Sequence, residues 1–349
     1  MKISLKRILQ YGLPVLLAII LMVYAFKGIE FEEVINQFKK ADYRWILVSA
    51  VLALISHASR AYRWMLLVRP LGYKPTLLNS FLAVMNSYFI NTILPRAGEI
   101  TRCGVSKKLD KIPATTVFGT VVLERIVDML MLLVIFVIFL IVEFNRLSIT
   151  ILEYLQTKLN GFSPMLLVGG LVLIIFLVGL PIAYKYRKSI FKSHLYARLK
   201  GFALNMLEGL MSIRTVKNKP AFIFHTVLIW SMYYLMAYVL FFCFPETSHL
   251  DLWFGVILLI VGTIGMAAPV QGGFGTYHYL VGMIFGLRGM TPEEGVLLAT
   301  FMHTVSTFVI LVVGGLSFLI TSFLIARNKK VQQPDMVDLE NELENVTIR

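Results

Sequence analysis

Apolar residues run along this chain in long blocks, at 13–26, 45–68, 77–94, 115–142, 164–184, 220–244, 251–287 and 293–326. A helix needs about 20 apolar residues to cross a bilayer. The blocks therefore predict an all-α membrane protein, a polytopic helical bundle. The first follows Lys2, Lys6 and Arg7, as a signal peptide would. It runs into Lys27-Gly28-Ile29-Glu30 where a small-residue cleavage site would stand, which predicts a retained signal anchor.

Two blocks are interrupted. One breaks at Pro95-Arg96-Ala97-Gly98-Glu99, the other across Ala268-Pro269-Val270-Gln271-Gly272-Gly273-Phe274-Gly275. Unpaired backbone groups in hydrocarbon cost several kcal/mol each, so such breaks must face protein or a polar cavity. Both blocks are expected to be broken, re-entrant hairpins that enter and leave on one side.

The basic residues orient these elements. With the N-terminus inside, the inner segments (1–7, 60–74, 96–111, 185–219, 327–330) hold 24 Lys and Arg, and the outer ones (27–44, 146–158, 288) hold 7. The bias fits cytoplasmic N- and C-termini in a cell membrane. Residues 1–145 then read span, span, hairpin, span from inside, and residues 163–327 repeat that order from outside. This is an inverted repeat with breaks at corresponding positions, a pointer to a transporter's binding site. Residues 146–162 form an outer linker and 328–349 a polar, acidic cytoplasmic tail. Within the second half, 187–215 carries Phe191, Leu195, Leu199, Phe202, Met206, Leu210 and Ile213 at helical spacing, interleaved with Lys188, Lys192, Arg198 and Lys200. This predicts an amphipathic basic helix, lying on the inner leaflet or packed on the bundle.

Composition narrows the function. The chain is 58% apolar and 15% charged, with a mean hydropathy of +0.76. A soluble domain averages about 45–50% apolar and about 25% charged, so a soluble enzyme is excluded. The net charge of +13 points, in so apolar a chain, to loops beside anionic lipid and not to nucleic acid. Cys103 and Cys243 are too few for a disulfide framework, and no Cys/His spacing suits zinc. No cofactor is expected, and the pattern leaves oligomerisation open.

Three clusters carry candidate chemistry. Arg96, Glu99 and Arg102 follow Pro95, and a helix starting near Gly98 would put Glu99 and Arg102 one turn apart. Its positive end and two arginines would suit a phosphate, which arginine grips with two prongs; an ordinary basic loop with an ion pair is the alternative. Glu124, Arg125 and Asp128 lie inside an apolar span and need partners, either around a polar cavity or on Arg96 or Arg102. The third cluster is Gly272, Gly273 and Gly275 with His278, where glycines permit a tight turn or close helix packing. It lacks the Lys-Ser/Thr ending of a phosphate-cradling loop. Arg60 and Arg63 are expected to snorkel to the inner interface, with His57 a weak candidate beside them. His303 is expected to bond a neighbouring helix, and Thr291-Pro292 with Glu293 and Glu294 to start one.

In these residues the chain resembles the flippase-like integral membrane family that shares the transmembrane region of lysylphosphatidylglycerol synthase. Asn91-Thr92-Ile93-Leu94-Pro95-Arg96-Ala97-Gly98-Glu99 with Arg102 matches its first motif. Glu124-Arg125-Ile126-Val127-Asp128 matches the second, and Gly272-Gly273-Phe274-Gly275 the third. The resemblance spans roughly residues 10–325. Gln271 stands where the family pattern has proline, and His278 where it has glutamate. The aminoacyl-lipid synthases add a soluble catalytic domain; with about 22 residues after the last span, none is expected in this chain.

The resemblance implies movement of a phospholipid or lipid-linked headgroup between leaflets. Arg96, Glu99, Arg102, Glu124, Arg125, Asp128, Gly272, Gly273, Gly275 and His278 are its candidate binding residues. Membrane lipids, anionic phospholipid or a lipid phosphate, are the expected partners. The alternatives are an intramembrane enzyme that transfers a group onto a lipid phosphate, and an accessory subunit without transport. No catalytic domain or nucleotide motif favours the enzyme.

Overall fold

The computed structural model describes residues 16, 19–94, 97–158, 216–268 and 270–332. Its regular elements are helices: α1 (Phe31–Lys40), α2 (Tyr43–Val68), α3 (Leu77–Ile93), α4 (Gly98–Asp110), α5 (Ala114–Lys158), α6 (Lys219–Tyr238), α7 (Leu252–Ala267), α8 (Thr276–Gly286) and α9 (Pro292–Gln332). Among the described residues, four segments are long and apolar enough to cross a membrane: Tyr43–Leu71, Ala114–Glu143, Lys219–Cys243 and Pro292–Asn328. The protein is an all-α polytopic membrane protein. Large apolar side chains stand exposed along α5 (Leu133, Phe136, Ile141) and α9 (Leu316, Leu319, Phe323), where lipid and not water is the matching solvent.

The chain divides into two compact units, Met1–Arg125 with Val216–Arg349, and Ile126–Thr215. In the second unit the described part is the continuation of α5. That helix runs through Lys158, so 146–158, expected as linker, is helical. The expected span 164–184 and basic helix 187–215 lie outside the described residues, as do Arg96 and the tail from 333.

In the first unit α2 and α6 pack antiparallel through small polar groups. The Ser49 hydroxyl donates to the Met236 carbonyl at 2.8 Å, and Ser59 Oγ lies 2.8 Å from His225 Nδ1. Small residues let helix backbones approach closely where lipid offers no hydrophobic drive. The outer segment 27–44 contains α1. Glu32 and Glu33 occupy its first turn and Lys39 and Lys40 its last, matching the helix dipole. Its Phe38 packs on Phe301 of α9, with ring centroids 5.1 Å apart. Phe241, Phe254, Phe285 and Phe301 continue that aromatic core.

Both interrupted blocks are helical hairpins. In the first, α3 ends at Ile93 and α4 starts at Gly98. Asn91 closes the tip, its Oδ1 accepting from the Gly98 N–H at 2.8 Å. A Cβ on Gly98 would lie 2.1 Å from the Ser87 carbonyl oxygen, so only glycine permits this approach. At the open end Asn79 Nδ2 donates to Asp110 Oδ1 at 2.8 Å. The second hairpin, α7 and α8, is clasped at its open end by Arg288 and Asp251 at 2.5 Å. Its tip needs φ of +56°, +73° and +81° at Gly272, Gly273 and Gly275, a region other residues rarely adopt. Asp251 and Thr76 cap the first helix of each hairpin. A helix starts at Thr291-Pro292, as the sequence predicts, and Thr291 and Glu294 form a reciprocal capping box there.

Candidate functional site

Charges of the first two sequence clusters meet where α2, α3, α4 and α5 converge. Arg102, one turn into α4, points its Nη1 at Glu124 Oε2 on α5, 2.6 Å away. Their side chains are 6% and 2% exposed. Glu99, a turn earlier on α4, pairs with Arg125 at 3.0 Å. Arg63 Nη2 on α2 lies 3.9 Å from Glu124 Oε1, and its Nη1 donates to Thr226 on α6 at 3.4 Å. The Arg102 guanidinium also stacks on Trp64, 4.6 Å from the ring centroid, and the Trp64 indole N–H donates to Thr120 at 3.0 Å. A cation on a desolvated aromatic face gains about 2 kcal/mol. The ring therefore helps hold the plane of the guanidinium.

The expectation that Arg60 and Arg63 snorkel is overturned. They are 5% and 0% exposed, inside protein. The second half of α2 is enclosed by neighbouring helices, so these side chains cannot reach an interface. The cue was present in the sequence: His57, Arg60 and Arg63 follow one another through an apolar span, and buried charge demands partners as much here as at Glu124. Removing Arg60 and Arg63 from the inner loops leaves the charge bias in the same direction.

A small polar cavity opens among these groups, with Arg60, Ser87, Tyr88, Arg102, Glu124 and Arg125 in its wall. It has room for about one water molecule. Arg60, Arg63, Arg102 and Glu124 are all buried. Arg102 spends Nη1 on Glu124, while its Nε and Nη2 are buried without a hydrogen-bond partner. Those two nitrogens form the side-on edge of the guanidinium, the geometry that grips a phosphate with two parallel bonds.

Arg96 lies outside the described residues. Asp128 belongs to the second unit. The Gly272–Gly275 turn is not in the wall of this cavity; it meets the end of α3. There Gln271 Nε2 donates to the carbonyls of Thr92 and Ile93, at 3.2 and 2.5 Å, satisfying acceptors a helix end leaves open. His303 Nε2 lies 2.9 Å from the Gly272 carbonyl, which can only accept, so the imidazole donates. The sequence predicts a neighbouring helix as its partner; the partner is the glycine turn. His278 Nδ1 accepts from the Gly275 N–H at 3.3 Å. It caps α8 from the third helical position, a place a glutamate often fills. Sequence reasoning gave no weight to Tyr88 or Ser87, because neither type is unusual in an apolar helix.

The profile of the family described as "Lysylphosphatidylglycerol synthase TM region" matches residues 12–314. The chain belongs to that family. A UPF0104 membrane protein of Methanocaldococcus jannaschii is 25% identical over 332 residues, 89% of this chain and 94% of the relative. No solved structure matches. The family match spans both hairpins and the charged residues of α4 and α5, so the convergence of these groups lies within the shared region.

Proposed function

We propose that this protein moves a phosphate-bearing lipid headgroup between the leaflets of a cell membrane, and that the cavity around Arg102 is its seat. The observation that carries the reading is the open side-on edge of Arg102, whose guanidinium is held by Glu124 and Trp64. Buried N–H donors left without a partner are costly and favour an acceptor such as a phosphate oxygen. The cavity is too small for a headgroup as it stands, so loading requires the surrounding helices to part. The two hairpins, each with a polar clasp and a bonded tip, are the elements suited to move as units. An inverted arrangement of the two halves would let one cavity open to each leaflet in turn. The Lys/Arg bias supports cytoplasmic termini.

The test is transfer of fluorescent phosphatidylglycerol in proteoliposomes. Arg102→Lys keeps a positive charge for Glu124 but cannot supply the two-pronged edge. The expected loss is about tenfold or more in transfer rate, the scale of hydrogen bonds to a charged group. Transfer at the unaltered rate in this variant overturns the reading.

A further inference from the structure

Two ion pairs join α4 to α5, and they differ in exposure. The inner pair is Arg102–Glu124, at 6% and 2%. The outer pair is Arg125–Glu99, at 51% and 23%. Of the residues in the cavity wall, Arg125 alone is exposed. The mouth of the cavity is therefore at Arg125, and an entering anion meets that guanidinium before any other in the wall. Glu99 occupies it in this conformation. One Glu99 oxygen, Oε1, takes the bond from Arg125, and the other, Oε2, is buried without a hydrogen-bond partner.

We propose that Arg125 is an outer phosphate subsite and Glu99 its gate. The anion exchanges with Glu99 on Arg125 and then passes to the side-on edge of Arg102. Magnitudes decide which pair opens. Breaking an exposed pair shifts an equilibrium by about fivefold at most, whereas stripping a buried charge of its partner costs a factor of ~100 or more. The outer pair yields while the inner one keeps Arg102 in place. Glu99 thus excludes anions too weak to displace a carboxylate. Phosphate qualifies because it too binds arginine in two-pronged fashion. The purpose of the gate rests on the cavity being a headgroup seat, but its test needs no transport.

The full-length protein carries Ser87→Cys as a reporter in the cavity wall, with Cys103→Ala and Cys243→Ala. Two thiol reagents are compared, the anionic sulfonatoethyl methanethiosulfonate and the neutral methyl methanethiosulfonate. Glu99→Gln should speed both, and the anionic reagent more, by about fivefold. Arg125→Gln should speed the neutral reagent and leave the anionic one no faster. Equal acceleration of both reagents in both variants means general loosening and overturns the proposal, as does no acceleration in either. Dihexanoylphosphatidylglycerol and inorganic phosphate are then added to the Glu99→Gln protein. Protection from the anionic reagent by the lipid alone assigns the subsite to a headgroup, and protection by both assigns it to phosphate in general. Protection by neither overturns the subsite. Protection in a protein that transfers no lipid between leaflets would leave the gate standing and remove the transport reading.

Discussion

Arg102 and Glu124 meet at 2.6 Å, 22 positions apart in the chain and both nearly sealed from their surroundings. The only hydrogen bond among the described residues that Glu124 accepts comes from Arg102. The pair fixes one nitrogen of the guanidinium and leaves its side-on edge open. Its neighbour Arg125–Glu99 has the same chemistry in a half-exposed setting, and that difference should be measurable.

Glu124→Ala leaves Arg102 buried without its carboxylate. Breaking a buried pair in this way costs ~3–5 kcal/mol. Glu99→Ala breaks an exposed pair worth about 1 kcal/mol or less. Thermal unfolding in detergent should therefore show a much larger drop for Glu124→Ala. Equal drops would mean that Glu124 is solvated in the membrane.

Gly98→Ala should open the tip of the first hairpin. The added Cβ would stand 2.1 Å from the Ser87 carbonyl oxygen and 2.6 Å from the Asn91 side chain, closer than any real contact. Overpacking of this kind costs about 1–3 kcal/mol. Limited proteolysis between 93 and 99 should quicken, while Gly104→Ala, which meets nothing within 4 Å, should leave it unchanged.

Gln271→Glu should weaken the contact between the hairpin tips more than Gln271→Leu. The leucine only loses the donor. The glutamate would aim an acceptor at two carbonyl oxygens that now receive the Gln271 amide. The expected order of unfolding temperatures is Gln, then Leu, then Glu. Glu equal to Gln would show that the tips do not depend on this bond.

Asp110 closes the open end of the first hairpin, just before the span that starts at Ala114. Burial raises its carboxyl above the ordinary carboxylate value, and the Asn79 amide partly opposes this. The folded state thus holds the proton more tightly than the unfolded one. Its contribution is fully present at pH below the unfolded value and is lost as pH rises through the folded one. Asp110→Asn, which still offers an oxygen to Asn79, should be the more stable protein near neutral pH, with the advantage vanishing in acid. An advantage that persists unchanged below the carboxylate range would remove titration as its cause.

Much of the fold was legible because its determinants are local. Apolar block length marks a span whatever its neighbours are, and Pro and Gly break helices wherever they stand. The breaks at 95–99 and 268–275 thus mark the hairpin tips observed, with α3 ending at Ile93 and α8 starting at Thr276. Charge inside apolar blocks also announced that Glu124 needed a partner, and Arg102 was among those expected.

Tertiary structure alone decided which groups are enclosed. Arg60 and Arg63 lie where a snorkelling arginine would also lie in sequence, and only the helices packed around α2 bury them. That Phe38 of α1 packs on Phe301 was fixed only when α9 arrived opposite it. The Gly272–Gly275 turn, linked by sequence to the Arg102 cavity, meets the end of α3 at Thr92 and Ile93, while Ser87 and Tyr88 of that helix line the cavity. The physical reason is common to all three. Periodicity and composition record what one segment prefers. Burial and charge pairing depend on which distant segment arrives opposite, and that is fixed only when the helices pack.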